Sequence, residues 1–338
     1  MGDKLQGGDL MRSDIIKIST KGMSRQEWLE ERRNAIGGSD TSAILGLNPY
    51  ATPYTVWADK TGRLPEKEDS EAMRQGRDFE QYVADRFTEV SGKKTRRVNA
   101  ILKSPEYPFA SANIDRDIVG EDSGLECKTT SVLNLRNFRD GDFPAQYYTQ
   151  SVHYLAVTGY TRWYVAVLIL NKGFLIYQLT RKEADTVPDW CESSVYVSDD
   201  EVAALMDAER EFWAFVESDT PPAVTGAETD GKALSAVFPG GGEEVVSLSE
   251  VGSTIDLYKA LKENIKVLET DLARCEQEIK AALGNNEYGQ AGNWVVTWKT
   301  QKRRTFDAKA YAEDHKEEDL SPYYHESSFR KFEIKEAR

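Results

Sequence analysis

The residues NIDRDIVGEDSGLECKTT, at positions 113–130, have the pattern of a β-hairpin that carries charged groups, and this hairpin indicates the type of fold. Asp115 lies near the end of one strand, the acidic run 121–124 forms the turn, and a second strand follows. Side chains alternate between the two faces of a strand, so Glu126 and Lys128 share a face. A hairpin can bring Asp115 beside them. The stretch therefore predicts two carboxylates and one lysine close together on a sheet.

Two carboxylates placed in this way suit a hard cation such as Mg²⁺, which prefers oxygen ligands and keeps several waters. The backbone carbonyl of Cys127 is a candidate for a further ligand. Lys128 could position or help deprotonate a metal-bound water, or stabilise charge on a phosphate. Its attraction to one unit charge at ~4 Å, with an effective dielectric near 20, is about 4 kcal/mol before desolvation. The pattern alone is not specific, because Asp-x10-Glu-x-Lys arises by chance in acidic proteins and Glu–Lys pairs are common on sheet surfaces.

The elements around this hairpin predict an α/β protein. A capping box formed by Ser24 and Glu27 predicts the start of a helix, and apolar residues at helical spacing predict a stronger helix over 70–90. Strands are expected at 98–102 and 109–119, and two further apolar strands follow a helix after the hairpin. Helices on a mixed sheet make an α/β core.

The chain divides into four predicted segments. Residues 1–22 are expected to form a flexible arm, residues 23–222 the core, and the Gly-, Ser- and acid-containing residues 223–250 a linker. Residues 251–338 form an extension of helix and strand. Its long helix carries an apolar stripe that predicts intramolecular packing or an oligomer contact, although the average step exceeds the 3.5 residues of a long left-handed coiled coil. The stripe consists of Leu257, Leu261, Ile265, Leu268, Leu272, Cys275, Ile279 and Leu283.

Composition and charge exclude several classes of protein. The 338 residues include 43 Lys+Arg and 57 Asp+Glu, for a net charge of −14, which argues against non-specific coating of nucleic acid. A local basic channel remains compatible with that total. Neither an apolar span of ~20 residues nor an apolar leader region is present, and the three cysteines are far apart. These features predict a cytoplasmic protein with no membrane partner, no disulfide scaffold and no iron–sulfur cluster.

Further polar residues lie where they would suit the same site. Glu80 is on the helix before the sheet, and Gln150 is on the helix after the hairpin, where it could orient a metal-bound water or the lysine. Arg33 precedes a glycine turn and Ser39, and a guanidinium beside a helix N-terminus favours an anion such as phosphate. Each residue alone also fits an ordinary role, as a solvated glutamate, a surface glutamine or a helix N-cap.

Taken in order over residues 28–216, these segments resemble the lambda-exonuclease-like, YqaJ-type family of viral and mobile-element recombination nucleases, within the PD-(D/E)xK superfamily. The resemblance implies a restriction-endonuclease-like core and an exodeoxyribonuclease that uses Mg²⁺, with Mn²⁺ as a substitute. It implies 5′-to-3′ degradation of one strand of linear double-stranded DNA, which leaves 3′ single strands for annealing-type recombination. It also implies a homotrimer and a single-strand annealing protein as partner. The segments that carry the resemblance are Arg33, Gly38-Ser39-Asp40, Gly76-x-x-x-Glu80, Asp115, Glu126-Cys127-Lys128 and Gln150.

The resemblance also implies roles for side chains. Acidic groups and one carbonyl would bind the metal, and a lysine and a glutamine would complete the catalytic set. Arg33 and Ser39 would hold the 5′-phosphate end. Asn113 stands where some relatives have a serine that contacts phosphate, and Ile114 replaces the proline of the motif. The metal-binding and catalytic set is Asp115, Glu126, Glu80, the carbonyl of Cys127, Lys128 and Gln150.

Two other functions stay open at the level of sequence. One is an endonuclease or junction resolvase on the same core, against which the Arg33 and Ser39 pocket argues. The other is a catalytically inactive DNA-binding scaffold that uses the long helix for partners. The presence of all the expected acidic groups, together with Lys128, argues against an inactive site.

Overall fold

The computed structural model describes residues 14–66, 69–183, 185–326 and 329–336, and it confirms the predicted α/β class. The strands are β1 (Ile16–Ser19), β2 (Ile36–Gly37), β3 (Thr95–Arg97), β4 (Ala100–Lys103), β5 (Ala110–Ala112), β6 (Arg116–Ile118), β7 (Ser123–Thr130), β8 (Arg162–Ile169), β9 (Gly173–Thr180), β10 (Ser193–Tyr196), β11 (Tyr288–Ala291) and β12 (Trp294–Thr297). The helices are α1 (Arg25–Arg33), α2 (Gly38–Ile44), α3 (Pro53–Lys60), α4 (Glu71–Ser91), α5 (Ala145–Thr158), α6 (Asp199–Glu217), α7 (Glu228–Val237), α8 (Gly252–Leu283) and α9 (Ala308–Asp314).

A six-stranded mixed sheet forms the centre of the fold, in the order β10-β9-β8-β7-β6-β3. The predicted hairpin is β6 and β7, which pair antiparallel. β7 pairs parallel with β8, and α5 lies in the connection between them. Parallel neighbours need such a crossover, because a tight turn can join only antiparallel strands.

Helices cover both faces of this sheet. On one face, Phe87 of α4 packs in an apolar cluster with Leu125 of β7. On the other face, Val152 of α5 belongs to a second cluster that includes Val165 of β8. Because successive strand residues point to opposite faces, Leu125 enters the α4 side and the next residue, Glu126, faces α5. Alternation along β7 thus places the acidic group under α5.

The chain leaves one sheet for another just before the hairpin. A second sheet has the order β1-β4-β5-β2, so β5 and β6 belong to different sheets. The prediction of one strand over 109–119 is therefore wrong. The apolar pattern is continuous because residues on both sides of the break are buried, among them Ile114 at 3% exposure. The break places Asp115 where the two sheets separate.

The N-terminal segment differs from the expectation of a loose arm. β1 pairs antiparallel with β4, with Ile16 opposite Lys103 and Ser19 opposite Ala100. The remaining part of the predicted arm, residues 1–13, lies outside the described residues. The prediction is thus wrong for residues 16–19, where backbone pairing with β4 supplies order that an isolated segment lacks.

The predicted linker also differs, because α7 lies within it. Asp230 of α7 is buried, and it accepts hydrogen bonds from the Thr52 hydroxyl and, at 2.6 Å, from the Thr225 N–H. Ala233 is buried as well, and α7 packs on α3. The polar composition of residues 223–250 predicted a linker. The buried residues Asp230 and Ala233 instead hold α7 against the core.

The chain divides into two compact units, the first ending at Pro239 and the second beginning at Gly240. The second unit contains the 32-residue helix α8, the β11–β12 hairpin and α9. It begins earlier than the predicted boundary at residue 251. Among the described residues, no helix is long and apolar enough to cross a membrane.

Candidate active site

The hairpin brings Asp115 beside the backbone of Cys127. Cys127 N–H donates a hydrogen bond to Asp115 Oδ2 at 2.7 Å. Pairing between β6 and β7 covers only two residue pairs, Arg116 with Leu125 and Asp117 with Gly124, so the β7 edge at Cys127 is open. The N–H and C=O of one strand residue point to the same side, so the Cys127 carbonyl faces the Asp115 side as well.

Glu126, Lys128 and Gln150 form a compact polar cluster between β7 and α5. Lys128 Nζ lies 2.7 Å from Glu126 Oε1 and donates to Gln150 Oε1 at 2.9 Å. Gln150 Nε2 donates to Glu126 Oε1 at 2.7 Å. The second oxygen, Glu126 Oε2, is buried and has no hydrogen-bond partner within the described part of the chain. A buried carboxylate oxygen without a partner is costly, and a cation is one ligand that would satisfy it.

Burial and neighbouring charges shift the pKa of both Asp115 and Lys128. Burial and the charge of Glu126 raise the pKa of Asp115 well above its usual range, against the opposing hydrogen bond from Cys127. Burial disfavours the charged form of Lys128, but Glu126 and Asp115 outweigh burial and raise the pKa of Lys128. Lys128 is therefore a cation at neutral and mildly alkaline pH. In that state it donates hydrogen bonds and accepts none, so it suits stabilisation of a phosphate better than removal of a proton.

Two tyrosines on α5 support this cluster. Gln150 Nε2 lies 2.9 Å from the Tyr154 hydroxyl, which in turn donates to the Asn113 carbonyl at 3.2 Å. Lys128 Nζ lies 5.1 Å from the ring centroid of Tyr147, within the range of a cation–π contact. Both contacts limit the positions that Gln150 and Lys128 can take.

Gly38 allows the β2–α2 turn to approach these residues. A Cβ at Gly38 would lie 2.7 Å from Tyr154 Cε1 and 3.0 Å from Gln150 Cγ. Such distances are shorter than van der Waals contacts, so a side chain at position 38 would displace the cluster. The glycine in the predicted segment is therefore required by a close approach.

Glu80 lies near the cluster but is engaged elsewhere. Its Oε1 is 2.5 Å from Arg116 Nη1 and 2.9 Å from Arg97 Nη2. The buried Arg116 also donates to the Asp115 carbonyl at 2.7 Å. No group of three or more His, Cys, Asp or Glu that could hold a metal occurs among the described residues. Glu80 therefore does not join Asp115 and Glu126 as a third ligand in this structure, because two arginines hold its carboxylate.

The cation beside the predicted phosphate site is Arg32 and not Arg33. Arg32 Nη2 donates to Ser39 Oγ at 3.2 Å, and its guanidinium lies 5.4 Å from the ring centroid of Trp28. Arg33 lies beside Gly62 instead. Neighbouring residues on a helix point about 100° apart, so the packing of α1 decides which arginine faces the site. The structure thus places Arg32, in place of the predicted Arg33, beside Ser39.

A buried ion pair fixes the turn that carries Ser39. Lys60 Nζ lies 2.6 Å from Asp40 Oδ2 and donates to the Arg32 carbonyl at 2.8 Å. Asp40 Oδ2 also accepts from Gly37 N–H at 3.0 Å. Burial alone would raise the pKa of Asp40, but Lys60 and Arg32 outweigh it and lower the pKa. Two cations therefore face this one carboxylate and favour its charged form. The helix that follows, α2, has only seven residues, and its end supplies no anion site by itself.

Two cavities meet at this cluster. The smaller, of 200 Å³, is lined by Asp115 and Glu126 and also by Asn113, whose side chain is exposed. The larger, of 650 Å³, is lined by Lys128 and by residues of α7 such as Lys232. Three residues line both cavities, namely Arg32, Ser39 and Gln150. The structure thus brings together the predicted residues Asp115, Glu126, Cys127, Lys128, Gln150, Ser39 and Asn113.

Several residues of the site were missed by sequence reasoning. Arg32 lies on α1 and Lys60 lies on α3. Both helices are short, and the sequence gives only a weak signal that these two cations belong to the site. Tyr154 lies four residues after Gln150 and hence on the same helix face, which is a signal that could have been used. Arg116 follows Asp115 directly, but a buried arginine has no sequence pattern that separates it from an exposed one.

The donors present fit a divalent cation. Glu126 Oε2 is an orphaned buried oxygen, and Asp115 presents a second carboxylate that Glu126 repels. The Cys127 carbonyl adds a neutral oxygen at the same edge. Mg²⁺ is commonly held by one or two carboxylates and several waters, which matches this set.

A mixed sheet with an Asp, Glu and Lys cluster at a strand edge is the arrangement expected for the PD-(D/E)xK class of nucleases. A family model described as the YqaJ-like viral recombinase domain matches residues 27–161. The uncharacterized protein YqaJ of Bacillus subtilis (strain 168) is 38% identical over 331 residues, which covers 96% of this chain and 98% of that protein. The chain belongs to the YqaJ family, as the sequence motifs predict.

Solved structures of low sequence identity are also similar to part of this chain. An alkaline exonuclease (LHK-Exo) from Laribacter hongkongensis is 16% identical, with a TM-score of 0.46, over 57% of this chain and 93% of that one. A phage related exonuclease from Haemophilus somnus 129PT is 10% identical, with a TM-score of 0.39, over 57% of this chain and 99% of that one.

Proposed function

We propose that this protein is a Mg²⁺-dependent 5′-to-3′ exonuclease that hydrolyses one strand of linear double-stranded DNA and leaves 3′ single strands for annealing-type recombination. The observation that carries the proposal is the orphaned Glu126 Oε2, which lies in one cluster with Asp115 and the cationic Lys128. Membership of the YqaJ-like viral recombinase family supports the DNA substrate.

In this proposal the residues of the cluster have three roles: metal binding, stabilisation of the phosphate and positioning of side chains. Asp115, Glu126 and the Cys127 carbonyl hold the cation, which when bound supplies an activated water and stabilises the attacking and leaving oxygens. Lys128 donates hydrogen bonds to the phosphate as negative charge develops on it. Gln150 holds Lys128 and Glu126 at fixed positions through the two hydrogen bonds described above.

The DNA end is held on the other side of the same cluster. Arg32 and Ser39 line the smaller cavity together with Asp115, so a terminal phosphate bound there lies next to the cation site. A guanidinium can bind phosphate through two parallel hydrogen bonds, which fixes direction as well as position. Asn113 is a further candidate contact, since it is exposed to the same cavity.

Digestion of end-labelled DNA tests the proposal. Linear duplexes labelled separately at the 5′ and 3′ ends, and closed circles, are incubated with Mg²⁺, with Mn²⁺ or with EDTA. We expect metal-dependent release of the 5′ label, a protected 3′ strand and intact circles. Cleavage of circles would indicate an endonuclease instead. Binding of DNA without cleavage, under varied pH and metal, would indicate an inactive scaffold.

Binding of the cation alone is a separate prediction. Addition of Mg²⁺ or Mn²⁺ without DNA is expected to raise the Tm of the wild type, because a ligand at 100 times its Kd stabilises the folded state by about 2.7 kcal/mol. Asp115→Asn should abolish most of that shift. Asp78→Asn is the matched control, since Asp78 is an exposed acid on α4. An equal shift in all three proteins, measured by differential scanning fluorimetry, would contradict the assigned site.

Arg32 is predicted to recognise the 5′-phosphate. Arg32→Gln should lower the ratio of digestion rates on 5′-phosphorylated and 5′-hydroxyl duplexes by about 10- to 100-fold, because a hydrogen bond to a charged group contributes about 1.5–3 kcal/mol. Arg33→Gln is the matched control and should leave the ratio unchanged. The assignment is wrong if the rate ratio falls in the Arg33 variant and not in the Arg32 variant.

The assembly and partners follow from the family resemblance. We propose a homotrimer that encloses the DNA, a cytoplasmic location, and a single-strand annealing protein that binds the 3′ strand. Light scattering of the purified chain tests the trimer, and a monomeric mass at micromolar concentration would argue against it.

A further inference from the structure

The long helix α8 presents an apolar seam that the second unit leaves open. Apolar side chains recur every seven residues in two series along α8, and most of them are about half exposed. Leu268 is 66% exposed and Leu272 is 62% exposed. The first series, at heptad position a, is Tyr258, Ile265, Leu272 and Ile279, and the second, at position d, is Leu261, Leu268, Cys275 and Ala282.

This register differs from the stripe first predicted, because it starts at Tyr258 in place of Leu257. Counted from Tyr258, the apolar positions alternate in steps of three and four, which is the a/d pattern of a coiled-coil seam. Tyr258 contacts Phe332 of the same unit, with ring centroids 5.9 Å apart. From Leu261 to Ile279 the large apolar side chains remain about 50–65% exposed. A seam of this length on a soluble protein indicates a binding surface.

The flanks of the seam are acidic. Positions e and g border the seam in a coiled coil and determine which helices can pair. Lys262 at the N-terminal end is an exception. The acidic flank residues are Glu269 and Glu276 at position e and Asp271 and Glu278 at position g.

Apart from Lys262, the basic residues of α8 lie away from the seam, at positions b and c. Two of them make exposed ion pairs with flank acids, Arg274 with Asp271 at 3.1 Å and Lys280 with Glu276 at 3.0 Å. Exposed pairs of this kind contribute only about 0.3–0.5 kcal/mol. The flanks therefore remain an acidic border of the apolar strip.

Charge argues against a second copy of α8 as the occupant. In a parallel pair, position g faces position e of the next heptad, so Asp271 would face Glu276 of the second copy. In an antiparallel pair, e faces e and g faces g, so acids again meet acids. Like charges placed in this way disfavour both arrangements.

We infer that α8 is the docking surface for an amphipathic helix of a different protein, with Leu or Ile along its seam and Lys or Arg on its flanks. The apolar seam supplies the buried area, and the acidic flanks select a basic partner over an acidic one. This inference does not depend on nuclease activity.

Two synthetic helical peptides of the length of α8 test this inference with the full-length protein. Both have Ile at a and Leu at d; one has Lys at e and g, and the other has Glu there. Fluorescence anisotropy is expected to show at least about tenfold tighter binding of the Lys peptide, weakened by salt. Leu268→Ser should weaken that binding at least about tenfold. Val267→Ser is the matched control, because Val267 is 54% exposed on the same helix but lies outside the seam.

A charge reversal completes the test. The double variant Glu269→Lys and Glu276→Lys leaves Asp271 and Glu278 in place, so it should lose the preference and bind the Lys and Glu peptides with similar affinity. The inference is overturned if the wild type binds neither peptide or binds both equally. It is also overturned if the wild type self-associates and Leu268→Ser dissolves that assembly, since the seam would then join copies of this chain.

Discussion

Lys128→Ala is expected to lower the rate of digestion of linear duplex DNA by about 10³-fold, the order found when a preorganised donor to a developing charge is removed. Lys128 is the cation of the cluster, with Glu126 at 2.7 Å and Gln150 at 2.9 Å. Its raised pKa keeps it charged at the pH of the assay. Alanine removes the donor and leaves Glu126 without its nearest cation.

The measurement is single-turnover release of the 5′ label at saturating protein and Mg²⁺. Lys172→Ala serves as the matched control, since Lys172 is exposed in the turn between β8 and β9. Lys128→Met retains the hydrocarbon part of the side chain and should lose as much activity as the alanine variant if charge is what matters. A Lys128→Ala protein with an unchanged Tm that retains a tenth or more of the wild-type rate would show that Lys128 is not catalytic.

Glu209→Ala is expected to lower the free energy of unfolding by about 3–5 kcal/mol, because it breaks a buried charge pair. Glu209 on α6 and His153 on α5 are both fully buried, and His153 Nδ1 lies 2.8 Å from Glu209 Oε1. Glu209 also accepts from the Thr41 hydroxyl at 2.7 Å. His153 Nε2 lies 2.9 Å from the Ser111 carbonyl, which can only accept, so this nitrogen carries a proton.

The pH dependence of this effect has a defined sign. Burial disfavours the charged imidazole, but Glu209 outweighs burial and raises the pKa of His153 above its ordinary value. The stabilisation from this charge is thus fully present below about pH 6.5, the unfolded value, and is lost as pH rises through the folded pKa. The difference in free energy of unfolding between wild type and Glu209→Ala should therefore shrink at alkaline pH.

Urea denaturation at several pH values measures this difference. Glu211→Ala is the matched control, because Glu211 is an exposed acid on the same helix. It should change the free energy of unfolding by less than about 0.5 kcal/mol. A Glu209→Ala protein as stable as the control, or a difference that grows with pH, would contradict a charged His153–Glu209 pair.

The central cluster is predictable from sequence because its geometry is local. Asp115, Glu126 and Lys128 lie on one hairpin, and strand alternation fixes which side chains share a face. Gln150 is further along the chain, but the helix that follows the hairpin strand must return over the sheet to start a parallel strand. Its position above Glu126 and Lys128 follows from that crossover.

Residues brought in from distant elements were harder to place. The family resemblance implies Arg33 as the partner of Ser39, while the structure places Arg32 there, because neighbouring residues on α1 point about 100° apart. Glu80 faces the site, yet Arg97 and Arg116 hold its carboxylate.

Besides the family, which the ordered motifs indicate, the amino-acid sequence alone predicts the α/β class, the hairpin cluster and an apolar stripe on α8. Each depends on a repeat of two or 3.6 residues or on a tight turn, and those are properties of short stretches of chain. Three features emerge only in the folded chain: β5 and β6 enter different sheets, α7 lines the larger cavity, and His153 pairs with Glu209. These features depend on which buried polar groups meet across distant elements, and that is set by packing of the whole unit.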